Sequence, residues 1–225
     1  MCTPLQVLIH YRAIFLSPVS ASGEILGPLV AYPETYYKNG KKEHYVGGFY
    51  ANIAAVEENS SARSYFADLL AKELLNNGLA PSVLIGAPMG GIIFSTTISD
   101  ILGSRAAFFE KKGLKIVLNR YTLNKGDKVV LVEDVCNNFK TTDKMIKIVT
   151  DLSAEVIAIT CIFNRSQFSN YQGIPVISAI HQEKPKYRQH NPKVKKLMDD
   201  YNIVWEPEKY WSFLQEEMLR GMKKN

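Results

Sequence analysis

The feature that most constrains the fold is a short segment, residues 129–132, in which every residue is apolar. It lies between a turn at residues 124–127 and a polar stretch at residues 133–140. A strand with no polar residue on either side has both faces covered, which is typical of a parallel sheet. The sequence therefore predicts a parallel sheet in which this strand is buried.

Helical and strand patterns alternate on both sides of this segment. Apolar residues follow helical spacing over residues 62–74, and the further predicted elements are strands at 83–85, 106–109, 156–163 and 176–179 and helices at 92–102 and 141–152. This order predicts an α/β fold with a doubly wound, mainly parallel sheet, in which ligands bind beyond the carboxyl ends of the strands. The dipeptide Asn39-Gly40 predicts a hairpin within residues 35–55.

A chain of 225 residues fits one α/β domain with a small appended part. We expect three parts: a segment at residues 1–60, an α/β core at residues 61–180, and an appendage at residues 181–225 packed on the core. The two terminal parts would form a small hood.

Composition and net charge indicate which kinds of ligand and which cellular compartment this chain suits. The net charge of +5 suits an anionic substrate, and the basic stretch at residues 184–196 contains prolines and acids, so a solvated surface is favoured over nucleic-acid binding. The three cysteines are far apart and the four histidines lack metal-ligand spacing, which favours reduced thiols in the cytoplasm over disulfides or a metal site. No run approaches the roughly 18 apolar residues of a membrane span.

Two adjacent acids, Glu133 and Asp134, follow the buried strand. Each carboxylate accepts hydrogen bonds in pairs, so the two can grip vicinal hydroxyls. The next loop leads into a helix, whose N-terminal N–H groups favour a phosphate. Together these features predict a site for a ribose 5-phosphate; the alternative is that the acids merely end a strand and cap a helix.

The turn at residues 86–91 contains three glycines, Gly86, Gly90 and Gly91, between a strand and a helix. Glycines there let the backbone approach a ligand closely and present N–H donors. A tight structural turn is the alternative interpretation.

Residues 129–135 resemble the signature of the type I phosphoribosyltransferases, an apolar strand that ends in two acids. The order of elements from residue 61 to 179 is similar too, with residues 86–91 at the place of that family's pyrophosphate loop. Three further segments resemble the orotate-specific branch: the hairpin 38–45, the stretch from 109 to Arg120, and Asn164-Arg165.

This resemblance implies transfer of a phosphoribosyl group from phosphoribosyl diphosphate to orotate in pyrimidine biosynthesis, with Mg²⁺ chelated mainly by the substrate, in a homodimer. It implies that Lys111, Lys112 and Lys115 act in catalysis with Asp134, and that Lys38 and Arg165 contact orotate. The remaining substrate-binding candidates are Gly86, Gly90, Gly91, Arg120, Glu133, Asn137, Asn138, Lys140 and Thr141.

The loop after the acids departs from the family pattern, because Phe139 replaces a glycine. A positive φ is costly for phenylalanine. A non-catalytic or regulatory homologue, or a transferase for another nitrogen base, therefore remains an alternative.

Overall fold

The computed structural model describes residues 2–113 and 115–223. In chain order its helices and strands are α1 (Pro4–His10), β1 (Ile14–Leu16), β2 (Leu29–Lys38), β3 (Lys41–Gly47), β4 (Phe49–Ala51), α2 (Ala54–Glu57), α3 (Ser60–Asn76), β5 (Val83–Gly86), α4 (Ile92–Leu102), β6 (Arg105–Phe108), β7 (Glu110–Lys112), β8 (Lys115–Val117), β9 (Lys128–Cys136), α5 (Lys140–Asp151), β10 (Glu155–Asn164), β11 (Asn170–Tyr171), β12 (Ile174–His181), α6 (Pro192–Asp199), β13 (Ile203–Val204) and α7 (Trp211–Met222).

The central sheet has six strands in the order β11-β12-β10-β9-β5-β6. All neighbours are parallel except β11 and β12. The four apolar residues of β9, 129–132, are fully buried, and Val129 and Leu131 share a hydrophobic cluster with Met145 and Val149 of α5. The predicted mainly parallel α/β sheet is confirmed.

Contact density divides the chain into two units. One comprises the residues up to Val7 together with Ile53–Glu183, and it contains the central sheet. The other comprises Leu8–Asn52 and the residues from Lys184 onward, and it contains a three-stranded sheet in the order β13-β2-β3. The division into parts at residues 60 and 180 stays a prediction.

The hairpin at Asn39-Gly40 is present, with β2 antiparallel to β3. Asn39 and Gly40 have φ values of 49° and 75°, the left-handed pair that a two-residue hairpin turn of this kind requires. No helix in the described part of the chain is both long and apolar enough to span a bilayer.

Several element boundaries differ from those expected. The strand predicted to end at Val132 continues as β9 to Cys136, because its partner β10 pairs with it as far as Asn164. The acids therefore lie within the strand and not in a loop after it. Helices α1 and α6 were not predicted, because their short apolar faces stand among polar residues and turn signals.

Candidate functional site

Glu133 and Asp134 project from opposite faces of β9, as neighbours in a strand do. On one face, Thr142 of α5 donates its Oγ1 hydrogen to Glu133 Oε1 at 3.2 Å. On the other face, Asp134 lies against the glycine turn, and its Oδ1 accepts from the N–H of Val135 at 2.7 Å. Glu133 thus contacts the start of α5, and Asp134 contacts the glycine turn.

At the three glycines of the turn at residues 86–91, the surroundings are packed so closely that a Cβ would not fit. A Cβ on Gly91 would lie 1.9 Å from the carbonyl oxygen of Val132, and one on Gly90 would lie 2.4 Å from Asp134 Oδ2. The N–H of Ala87 donates to the same Val132 oxygen at 2.8 Å, and the Pro88–Met89 peptide bond is cis. Glycine is therefore required at position 91 by the backbone of β9 and at position 90 by the Asp134 carboxyl group.

A pocket of about 90 Å³ lies between the end of β9 and the start of α5. It has room for a group of a few heavy atoms and lies at the first turn of α5, where the N–H of Lys140 donates to Asn138 Oδ1 at 3.1 Å. Its lining residues are Glu133, Val135, Cys136, Asn137, Asn138, Phe139, Lys140, Thr141 and Thr142. The four substrate-binding candidates of the predicted phosphate loop (residues 137–141), Asn137, Asn138, Lys140 and Thr141, therefore meet around one small cavity beside Glu133.

Phe139 precedes α5 in the left-handed conformation, with φ 55° and ψ 10°. That conformation costs a residue with a Cβ roughly 1–2 kcal/mol. Burial offsets this cost, since the ring is 3% exposed and stacks on Tyr171 with ring centres 4.1 Å apart and an interplanar angle of 13°. Phe139 therefore holds a left-handed backbone conformation of the kind that glycine adopts freely.

Burial raises the pKa of each acid at this site. Burial raises the pKa of Glu133 to about 8, with the nearby Asp134 charge as the second cause, and burial also raises the pKa of Asp134. Glu57, at the end of α2, has its pKa raised to about 7 by burial and by the charge of Asp134. Glu57 was not predicted as a site residue, because it lies in a short helix with no motif around it.

The predicted catalytic cations lie on an exposed hairpin formed by β7 and β8. Lys111, Lys112 and Lys115 are exposed, and Arg120 forms an ion pair with Glu110 at the base of the hairpin. Within residues 2–113 and 115–223, no ion pair joins these cations to Glu133 or Asp134. Their role in catalysis stays a prediction.

The two predicted base-binding residues belong to different units. Arg165 is buried directly after β10, and its N–H donates to the carbonyl oxygen of Cys136 at 3.0 Å, which links it to the end of β9. Lys38 ends β2 in the other unit, beside the Asn39-Gly40 turn.

Solved structures with this fold include the orotate phosphoribosyltransferase of Aeropyrum pernix. Its TM-score is 0.56 at 16% identity, over 88% of this chain and 99% of that one. This chain has the type I phosphoribosyltransferase fold. The adenine phosphoribosyltransferase of Thermoanaerobacter pseudethanolicus shares the fold, with a TM-score of 0.51 at 20% identity over 67% of this chain and 94% of that one.

Sequence comparison extends the resemblance to phosphoribosyltransferases named for orotate. "Orotate phosphoribosyltransferase 2" of Mesorhizobium japonicum is 33% identical over 104 residues, which cover 46% of this chain and 54% of the relative. The orotate phosphoribosyltransferase of Heliobacterium modesticaldum is 32% identical over 112 residues, 49% of this chain and 59% of the relative. The match thus spans between half and three fifths of each relative, and the resemblance drawn from the sequence is confirmed. No family model matches the chain.

Proposed function

We propose that this protein transfers a 5-phosphoribosyl group from phosphoribosyl diphosphate to orotate, releasing diphosphate and forming orotidine 5′-phosphate. The observation that supports this most is the position of Glu133 and Asp134, with a small pocket at a helix start on one side and the glycine turn on the other. A ribose 5-phosphate carries both hydroxyls and a phosphate, so each part has a suitable partner in this arrangement.

The ribose would lie at the acid pair. Once ionised, Glu133 and Asp134 accept hydrogen bonds from the ribose hydroxyls. The 5-phosphate would occupy the pocket between β9 and α5, where the positive end of the helix and the ammonium group of Lys140 favour an anion. The diphosphate would lie along the glycine turn, in which Gly90 packs against the Asp134 carboxyl group.

Catalysis then depends mainly on alignment and charge. The reaction needs the base nitrogen in line with the departing diphosphate, and positive groups that stabilise the charge developing on it. Lys111, Lys112, Lys115 and Arg120 would supply those groups from the β7–β8 region. None of these steps requires a covalent bond to the protein.

The acid pair fits a magnesium-dependent reaction, because carboxylate oxygens are suitable ligands for Mg²⁺ and the ion retains waters and substrate oxygens. When bound, Mg²⁺ would supply positive charge to the diphosphate. Glu133 and Asp134 would hold it through the ribose and through water, and the substrate's phosphates would hold it directly.

Orotate as the base is supported by the names of the two sequence relatives and by the resemblance at residues 38–45 and 164–165. A planar guanidinium such as that of Arg165 suits the orotate carboxylate, and Lys38 would contact the base from the hairpin. The same resemblance supports a homodimer that acts in the cytoplasm.

The test is direct turnover. Purified protein is incubated with phosphoribosyl diphosphate, Mg²⁺ and orotate, and the fall in orotate absorbance is followed, with adenine as the parallel base. Consumption of orotate that Glu133→Gln with Asp134→Asn abolishes would support the proposal. Absence of turnover at high enzyme concentration would contradict it, and turnover with adenine alone would assign the enzyme to another base.

A further inference from the structure

The backbone of the proposed phosphate loop is linked to an aromatic residue far along the chain. The carbonyl of Phe139 accepts from the N–H of Asp143 at 2.7 Å, and the carboxylate of Asp143 accepts from the Tyr171 hydroxyl at 2.9 Å. The rings of Tyr171 and Phe139 also stack, so each of the residues Phe139, Asp143 and Tyr171 contacts the other two. Gln172 adds a second donor to the same Asp143 oxygen at 3.0 Å.

This set of contacts fixes the conformation that phenylalanine disfavours. Without support, a residue with a Cβ relaxes from the left-handed region toward the right-handed region. Such a change at Phe139 would turn the N–H groups of Lys140 and Thr141, which border the pocket beside Glu133. A glycine would need no such support, because it adopts positive φ freely.

We propose that Tyr171, acting through Phe139, is a positioning residue that holds the phosphate loop in its binding conformation. This inference rests on the proposed function, since it assumes that the pocket receives the 5-phosphate. It makes the affinity for the 5-phosphate dependent on Tyr171, a residue on strand β11 that does not line the pocket.

The competing explanation is that the stack is ordinary core packing. The two explanations differ in what replacing Tyr171 does to ligand binding. If Tyr171 acts by holding Phe139 in the left-handed region, Phe139→Gly removes the need for Tyr171. If the stack only contributes packing, Tyr171→Leu should lower the melting temperature but change the affinity for ribose 5-phosphate no more than a replacement elsewhere in the core does.

The experiment is a titration of ribose 5-phosphate, followed by calorimetry, into the wild type and the variants Tyr171→Leu, Tyr171→Phe, Phe139→Gly and Phe139→Gly/Tyr171→Leu. Tyr65→Leu is the matched control, because Tyr65 also contacts a phenylalanine ring, that of Phe66, but lies on α3. Thermal unfolding is recorded for each variant to show that it is folded.

We expect Tyr171→Leu to weaken ribose 5-phosphate binding about three- to tenfold, the scale of a lost aromatic pair. Tyr171→Phe should have a smaller effect, and Phe139→Gly should bind within about twofold of the wild type, with or without Tyr171. In turnover, Tyr171→Leu should raise KM for phosphoribosyl diphosphate and leave KM for orotate and kcat unchanged.

Two results would overturn the inference while the proposed function stands. One is wild-type binding that Tyr171→Leu changes no more than Tyr65→Leu does. The other is an equal loss on replacing Tyr171 in the Phe139→Gly background. A wild type that does not bind ribose 5-phosphate would overturn both claims, whereas binding without turnover would remove the transferase activity and leave the role of Tyr171 intact.

Discussion

Gly90 lies directly against the carboxyl group of Asp134: a Cβ at position 90 would stand 2.4 Å from both Cγ and Oδ2 of the acid. The neighbouring Gly91 contacts backbone instead, since its Cβ would meet the Val132 carbonyl oxygen at 1.9 Å. Two adjacent glycines are therefore required for different reasons, one by a side chain of the proposed site and one by the sheet.

This difference predicts two distinct alanine phenotypes. Gly91→Ala should lower the melting temperature by about 5 °C or more, because a backbone clash in a packed region cannot be relieved locally and overpacking costs roughly 1–3 kcal/mol. Gly90→Ala should stay closer to the wild type in stability but displace Asp134, so binding of phosphoribosyl diphosphate should weaken at least tenfold. Thermal unfolding and calorimetry measure the two effects, and equal losses of stability in both variants would contradict this division.

The buried Glu133 predicts a pH-dependent stability. Because folding raises its pKa from the usual 4.5 to about 8, the protonated form favours the folded state. Its stabilising effect is complete below about pH 4.5 and is lost as the pH rises through about 8. Glu57, with a pKa of about 7, acts in the same direction.

The melting temperature should therefore fall between pH 5 and 8.5, and Glu133→Gln should make this fall smaller. Asp68→Asn, which changes an exposed acid on α3, serves as the control and should leave the slope as it is. A Glu133→Gln profile parallel to that of the wild type would contradict the burial of this carboxyl group.

The hydrogen bond from Thr142 to Glu133 predicts a role for a buried hydroxyl that the sequence did not single out. Thr142→Val removes the donor and nearly preserves the shape, so Glu133 loses its orientation and the pKa of its carboxyl group rises further. Ribose 5-phosphate should bind several-fold more weakly, by calorimetry at pH 7. Thr150→Val, on the exposed side of the same helix, should bind as the wild type does; equal affinity in both variants would rule out this role.

Replacing the exposed lysines of the β7–β8 hairpin should change kcat but not the affinity for ribose 5-phosphate. If they stabilise charge on the departing diphosphate, Lys111→Ala, Lys112→Ala or Lys115→Ala should lower kcat, by tenfold or more for the residue that contacts the diphosphate. Affinity for ribose 5-phosphate, which has no diphosphate, should not change. Lys147→Ala, which removes an exposed lysine paired with Asp151 on α5, is the control. If all three hairpin variants retain wild-type kcat, the cations of this hairpin do not act in the reaction.

Much of the fold follows from local sequence patterns. The apolar segment at residues 129–132 predicts a buried strand of a parallel sheet, and Asn39-Gly40 predicts the hairpin, because burial on two faces and left-handed turn geometry each demand particular residue types. The end of β9 could not be placed in this way, because two acids in a strand depend on the neighbouring strand β10 for their backbone pairing.

The main residues of the site could be predicted from the sequence, but the residues that pack around them could not. Glu133, Asp134 and the glycine turn stand out in the sequence, whereas Glu57 and Tyr171 are brought to the site only by tertiary packing. At Phe139 the sequence predicted a costly φ, and the structure adopts it with compensating aromatic contacts more than 30 residues away in the chain.

A crystal structure of the protein soaked with ribose 5-phosphate would locate the ligand relative to Glu133 and Asp134. We predict the phosphate in the pocket lined by residues 137–142, with the ribose hydroxyls on Glu133 and Asp134 and Phe139 still in the left-handed conformation. Ribose 5-phosphate bound elsewhere on the protein, with that pocket empty of phosphate, would contradict the proposed binding site.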